Sequence, residues 1–121
     1  KAIVFFSYLD IKRKINILLK KPIFYVIGDS HTLCFQHEKF IIRHIGPATA
    51  YRLRFDDSLT KGKQKIINFI DSIYVNKPIN IIFVFGEIDV RIHINKISKQ
   101  NKKPIKNIIL NTVKSYMIFL K

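Results

Sequence analysis

Tyr25-Val26-Ile27-Gly28-Asp29-Ser30-His31 is the stretch whose reading decides the fold. Three apolar residues with strand character run into a glycine, and three side chains able to do chemistry follow at once. Gly28 permits the backbone angles of a sharp strand-to-loop exit, which other residues reach only with strain. Such an exit presents Asp29, Ser30 and His31 at the carboxyl end of a strand, where open α/β sheets bind their ligands.

Outward from that stretch the pattern alternates. Upstream, Val4, Tyr8, Ile11, Ile15 and Leu18 recur at spacings of four and three, which predicts an amphipathic helix over 3–19. Lys20-Lys21-Pro22 ends it, because the residue before a proline avoids helical angles. The first strand is expected at 23–27, followed by a short helical start at Thr32–His37. Phe40–Ile45 reads as a second strand, closed by Gly46-Pro47, and Ala48–Phe55 reads as a loop or irregular helix. Asp56-Asp57-Ser58 is placed to cap a helix carrying Ile66, Ile67, Ile70, Ile73 and Tyr74, with Asn76 and Pro78 closing it. Asn80–Phe85 is apolar without alternation, as in a strand covered on both faces. Pro104 suits a helix start, and Ile105, Ile108, Ile109, Thr112, Val113, Tyr116 and Leu120 give the clearest helical stripe.

Strands alternating with helices predict an α/β fold built on a parallel, doubly wound sheet in a single domain over 1–121. With strand order 2-1-3, the exits at Gly28–His31, Gly46–Thr49 and Gly86–Asp89 share one rim at the topological switch point. The chain starts at Lys1 and stops in the middle of an apolar pattern, so it reads as a C-terminally truncated fragment.

Composition narrows the partners. The 121 residues hold 22 Lys and Arg against 8 Asp and Glu, a net charge of +14. That excess accompanies heavy use of Ile, Asn, Phe and Tyr and is scattered along the chain, with no aromatic-interleaved basic motif and no helix-turn-helix pattern. It reads as solvated surface, which argues against nucleic acid and leaves an acidic glycan as a possible anionic ligand. Cys34 is alone, so there is no disulfide framework and no cysteine zinc site, and a buried thiol is expected. Ala2–Leu9 is too short for a membrane span and lacks the order of a signal peptide, which leans towards the cytoplasm. Oligomeric state is not readable.

Three ordered blocks, Gly28-Asp29-Ser30, Gly46 and Gly86-Glu87-Ile88-Asp89, resemble those of the SGNH (GDSL-type) hydrolases over about residues 22–95. His44–Tyr51 and the Glu-Ile-Asp run look like a divergent, glycan-associated branch. The resemblance implies a three-layer α/β/α, flavodoxin-like fold and a serine esterase or acyltransferase, without cofactor or metal. Its substrate would be a small-molecule or glycan ester. It implies Ser30 as nucleophile within the catalytic Asp29-Ser30 block, with the Ser30 and Gly46 N–H groups as oxyanion donors.

The sequence departs from that family twice. Ile88 stands where the third block normally has Asn, and the late Asp-x-x-His that supplies the base does not occur in this chain. A serine nucleophile needs a base at neutral pH. It lies beyond Lys121, or another histidine has taken the role. Glu87, Asp89, Arg91 and His93 share one face of an extended segment and form i,i+4 pairs on a helix. Either geometry pairs Asp89 with His93 and Glu87 with Arg91, as structural salt bridges or as a site. In the functional reading Asp89 orients His93, which joins the catalytic set, and Arg91 binds an anionic group. His31, Glu87, Thr49 and Arg52 complete the candidate substrate contacts, with loop stabilisation the alternative for His31 and solvated charge that for Arg52. His44 is expected in the core or at the rim, and His37 on the surface. Two other readings stand beside the esterase: a degenerate domain of the same type that binds glycan or protein without turnover, and a metallophosphoesterase opened by Asp29-Ser30-His31. The latter lacks its family's further metal-binding blocks.

Overall fold

Strands form where β-branched and aromatic side chains cluster, and the three apolar runs do so in one sheet. The computed structural model describes residues 2–73 and 79–121, with residues 2–7 described as backbone alone. Its elements in order are α1 (Ala2–Leu18), β1 (Phe24–Gly28), β2 (Phe40–His44), α2 (Gly62–Ile73), β3 (Asn80–Val84), α3 (Ile94–Asn101) and α4 (Ile105–Phe119). Short 3-10 segments occupy Ser30–Phe35 and Arg52–Arg54, and a π-helical turn at Asp89–His93 runs into α3. Tyr74, Asn76 and Pro78, expected at the end of the second helix, lie outside the described residues, as does the side chain of Val4. The fold is mixed α/β. Among the described residues, no helix is long and apolar enough to cross a membrane.

The chain forms two compact units. The first holds α1 and the sheet. Its strand order is β2-β1-β3 with both pairings parallel, and Gly28 stands in register with His44 on one side and Val84 on the other. The order 2-1-3 is therefore as expected, with the Gly-Asp-Ser stretch leaving the central strand. Val26 and Ile27 are fully buried, whereas Ile81, Ile82 and Phe83 of β3 are only half-buried. The expectation that β3 is covered on both faces is corrected here: it is the edge of a three-stranded sheet.

Gly28 is required for a reason other than its backbone angles. A Cβ at this position would lie 2.2 Å from the Val84 carbonyl oxygen and 2.8 Å from the Thr32 methyl group. The neighbouring strand comes so close that only a hydrogen fits.

The stripe expected to bury α1 faces outward instead. Tyr8, Ile11, Ile15 and Leu18 are exposed, and among the described side chains of α1 Leu9 and Asn16 are the buried ones. Polar contacts position this helix: Asn16 Nδ2 donates to the Glu38 carbonyl at 3.5 Å, and Lys12 pairs with the Glu38 carboxylate at 3.0 Å. The helix ends with Lys20 in the left-handed region, Lys21 N–H donating to the Asn16 carbonyl and Lys20 N–H to that of Ile17. This is the Schellman arrangement, with lysine where glycine is usual.

The second unit comprises Ile45–Ile73 and Phe85–Lys121. Its buried residues Ile45, Ala48, Ala50, Leu53, Ile66, Ile94 and Ile108 form the apolar core. Asp56-Asp57-Ser58 does not cap α2, which begins four residues after Ser58. The three residues are used in a turn: the Ser58 carbonyl accepts from Lys61 N–H at 2.9 Å, and Asp56 and Asp57 pair with Lys63 and Arg52. On α4 the inward face is Ile108, Thr112, Ser115, Tyr116 and Phe119, while Ile105, Ile109, Val113 and Leu120 are exposed. The expected stripe is thus only half correct, because the buried face is turned towards Ser115.

Candidate functional site

In the first unit the central strand delivers Asp29, Ser30 and His31 at its carboxyl end, into the 3-10 segment. Asp29 is 1% exposed. Its Oδ1 accepts from the backbone N–H of His31 at 2.9 Å and lies 3.0 Å from His31 Nδ1. Its backbone carbonyl accepts from Thr32 N–H and from Thr32 Oγ1. The Asp29 Oδ2 atom is buried without a hydrogen-bond partner. The carboxylate therefore fixes both the turn and the imidazole, and a His ring that donates through Nδ1 keeps Nε2 as an acceptor. The His31 side chain is half exposed. Ser30 is exposed, and neither its Oγ nor its N–H is hydrogen-bonded to another described residue. Cys34 is exposed, against the expected buried thiol, because Thr32 is the buried residue of this 3-10 segment. His44 ends β2 exposed, and His37 is on the surface as expected.

The remaining candidate residues belong to the second unit. Gly46 and Gly86 have φ of +91° and +111°, so both block glycines sit where a side chain is strained although the space beside them is open. Glu87–His93 is helical rather than extended. Val90 N–H donates to the Gly86 carbonyl at 3.0 Å, and Ile94 N–H reaches back five residues to that of Asp89. Glu87 and Arg91 form the expected i,i+4 ion pair at 2.5 Å.

Asp89 and His93 are not hydrogen-bonded to each other. Asp89 is 2% exposed, and its Oδ2 accepts from Ala50 N–H at 2.6 Å while Oδ1 accepts from Tyr51 N–H at 3.3 Å. The carboxylate has been taken by backbone donors, which need an acceptor once buried. The expected orientation of His93 by Asp89 is corrected accordingly. The same loop is held a second time, by Ser115 Oγ donating to the Tyr51 carbonyl at 2.7 Å.

Beside this staple lies a cavity of about 730 Å³. Thr49, Arg52, Asp89 and His93 line it, so four candidate residues scattered through the sequence meet at one place. Arg91 and Glu87 do not line it. Sequence reasoning missed Lys103, Asn101 and Asn111, which line it too. The signal for Asn101 and Lys103 was faint, since the sequence pattern assigns no helix over Ile94–Asn101, where α3 lies. Among the described residues, no group of three or more His, Cys, Asp or Glu is arranged to hold a metal ion. The donor set of a two-metal phosphoesterase is thus not assembled among them.

Compared with protein-family models, with curated proteins and with solved structures, the chain matches none of them.

Proposed function

We propose that the protein is a serine esterase or acyltransferase of the SGNH type, with a flavodoxin-like winding of its sheet, and that Ser30 is its nucleophile. The observation that carries this reading is the placement of Ser30. It is exposed, without a hydrogen bond to another described residue, and stands just past the carboxyl end of the central strand of a parallel sheet. That is the position at which open α/β sheets place ligand-contacting groups.

In the reaction, Ser30 Oγ attacks the ester carbonyl carbon, and its proton passes to a base. We assign that role to His31 Nε2, acting directly or through one water, because Asp29 holds Nδ1 on the other side of the ring. The proton then goes to the departing alkoxide as the carbon–oxygen bond breaks, leaving an acyl group on Ser30. Water or an acceptor hydroxyl releases it. The Ser30 N–H, with no acceptor among the described residues, is available to the oxyanion.

A serine-directed fluorophosphonate tests the reading. It should label the protein at Ser30, fail on Ser30→Ala, and react more slowly with His31→Ala. Hydrolysis of p-nitrophenyl acetate should follow the same order and withstand chelators. Labelling that survives Ser30→Ala overturns the assignment, as does metal-dependent phosphatase activity that survives it. No labelling together with tight glycan binding identifies a binding domain instead.

A further inference from the structure

We infer that the cavity of the second unit binds a small organic anion with an apolar body, at a site made without Ser30. Its volume of about 730 Å³ falls in the range of cavities that enclose a small ligand. Much of the wall is hydrocarbon: Ile88, Ile94, Ile97 and Ile108 line it, and Leu59 at its edge is wholly exposed. A ligand with an apolar body removes that surface from water, which favours binding.

The polar groups still available in the wall select the charge. Asp89 is the one carboxylate lining the cavity, and both of its oxygens are already held by the Ala50 and Tyr51 N–H groups. A cationic ligand therefore meets a single carboxylate, 2% exposed and already engaged by two backbone donors, and faces Lys103 and Arg52 at the same wall. On the donor side, Lys103 Nζ has no acceptor among the described residues. Arg52 reaches Asp57 only at 3.4 Å, in a solvent-exposed pair that is readily exchanged. Asn101 and Asn111 add amides. Two cationic side chains beside an apolar floor match a carboxylate or phosphate attached to a hydrocarbon or aromatic group.

The test uses three probes of one shape: 4-phenylbutyrate, its neutral amide and 4-phenylbutylamine. Each is titrated into the ¹⁵N-labelled protein and followed by amide shifts. The carboxylate should give saturable shifts at Ile97, Asn101 and Lys103, the amide should bind more weakly, and the amine weakest of all. Lys103→Gln, at an exposed position where folding is not at stake, should weaken phenylbutyrate about five-fold, the size of one partly exposed charge pair, and leave the amide unchanged. Leu59→Ser should weaken the carboxylate and the amide together. Ser30→Ala should bind phenylbutyrate as the unaltered protein does, which separates this site from the proposed nucleophile. The inference is overturned if the amine binds as tightly as the carboxylate, if Lys103→Gln leaves their ratio unchanged, or if the saturable shifts fall outside the cavity.

Discussion

Replacing Asp89 by Asn separates an anchoring carboxylate from a catalytic one. In the native protein Oδ2 takes a short, charge-assisted hydrogen bond from Ala50 N–H at 2.6 Å, and Oδ1 a longer one from Tyr51 N–H at 3.3 Å. An amide keeps one acceptor and turns an NH2 group towards the other donor. The Ala50 bond falls from a charged to a neutral one, a loss of about 1 kcal/mol, and the Tyr51 bond is lost for about another 1 kcal/mol. The Tyr51 bond is part-buried and already long, so no further penalty is added. The expected total is about 2 kcal/mol. Asp89→Ala also leaves the N–H of Ala50, only 3% exposed, without an acceptor, and should cost about 3 kcal/mol. Urea unfolding followed by circular dichroism measures both, and an unchanged slope confirms that native stability is what moved. A stability for Asp89→Asn within about 0.5 kcal/mol of the native protein refutes the anchoring argument. Slower acylation at unchanged stability would instead return Asp89 to the chemistry.

Four other expectations follow from the same geometry. Ser115→Ala removes the donor to the Tyr51 carbonyl from a residue 2% exposed, and should lower stability by about 1–2 kcal/mol in the same urea experiment. Gly28→Ala drives a Cβ into the backbone of β3, so the variant should lose about 3 kcal/mol or more or fail to fold; normal stability would show that the strands can part. Lys102 ends α3 at φ +49°, and Lys102→Gly should raise stability by about 0.5–1 kcal/mol in thermal unfolding. Hydrogen bonding to Lys12 holds the Glu38 carboxyl below its ordinary value of 4.5, so the pair's contribution is complete above that pH and disappears as pH falls through the lowered value. The stability difference between native protein and Glu38→Gln should close in acid and shrink with added salt.

What the sequence revealed depended on how local the cause was. The three strands were legible because β-branched clusters such as Tyr25–Ile27 and Asn80–Val84 act within a few residues. Their parallel direction followed from the alternation with helices, whereas the order 2-1-3 entered as an assumption that the sheet matches. The orientation of α1 was not legible. Periodicity shows that a helix has two faces but not which of them packs, and here the face of Leu9 and Asn16 is the buried one, with Asn16 and Lys12 bound to residue 38 far along the chain. The closeness of Asp29 and His31 was visible as adjacency, since a single residue separates them. Asp89 was singled out as a partner of His93, four residues away, yet its donors lie 38 and 39 residues upstream. No short-range spacing distinguishes a carboxylate that orients an imidazole from one that satisfies a distant loop. Lys103 was overlooked for a related reason, because a lysine in a run of lysines carries no mark of the cavity it borders.

The π-helical turn at Asp89–His93 has a consequence for how the chain tolerates changes in length. Such a turn is an α-helix carrying one surplus residue, so everything after it is set about 100° out of phase with a regular helix. Ile94 and Ile97 reach the cavity wall in that shifted phase. Excising exposed Val90 would let the backbone relax into an ordinary helix while turning those side chains away, and a substitution at the same place would leave the phase intact. For this segment the number of residues is a stricter requirement than their identity.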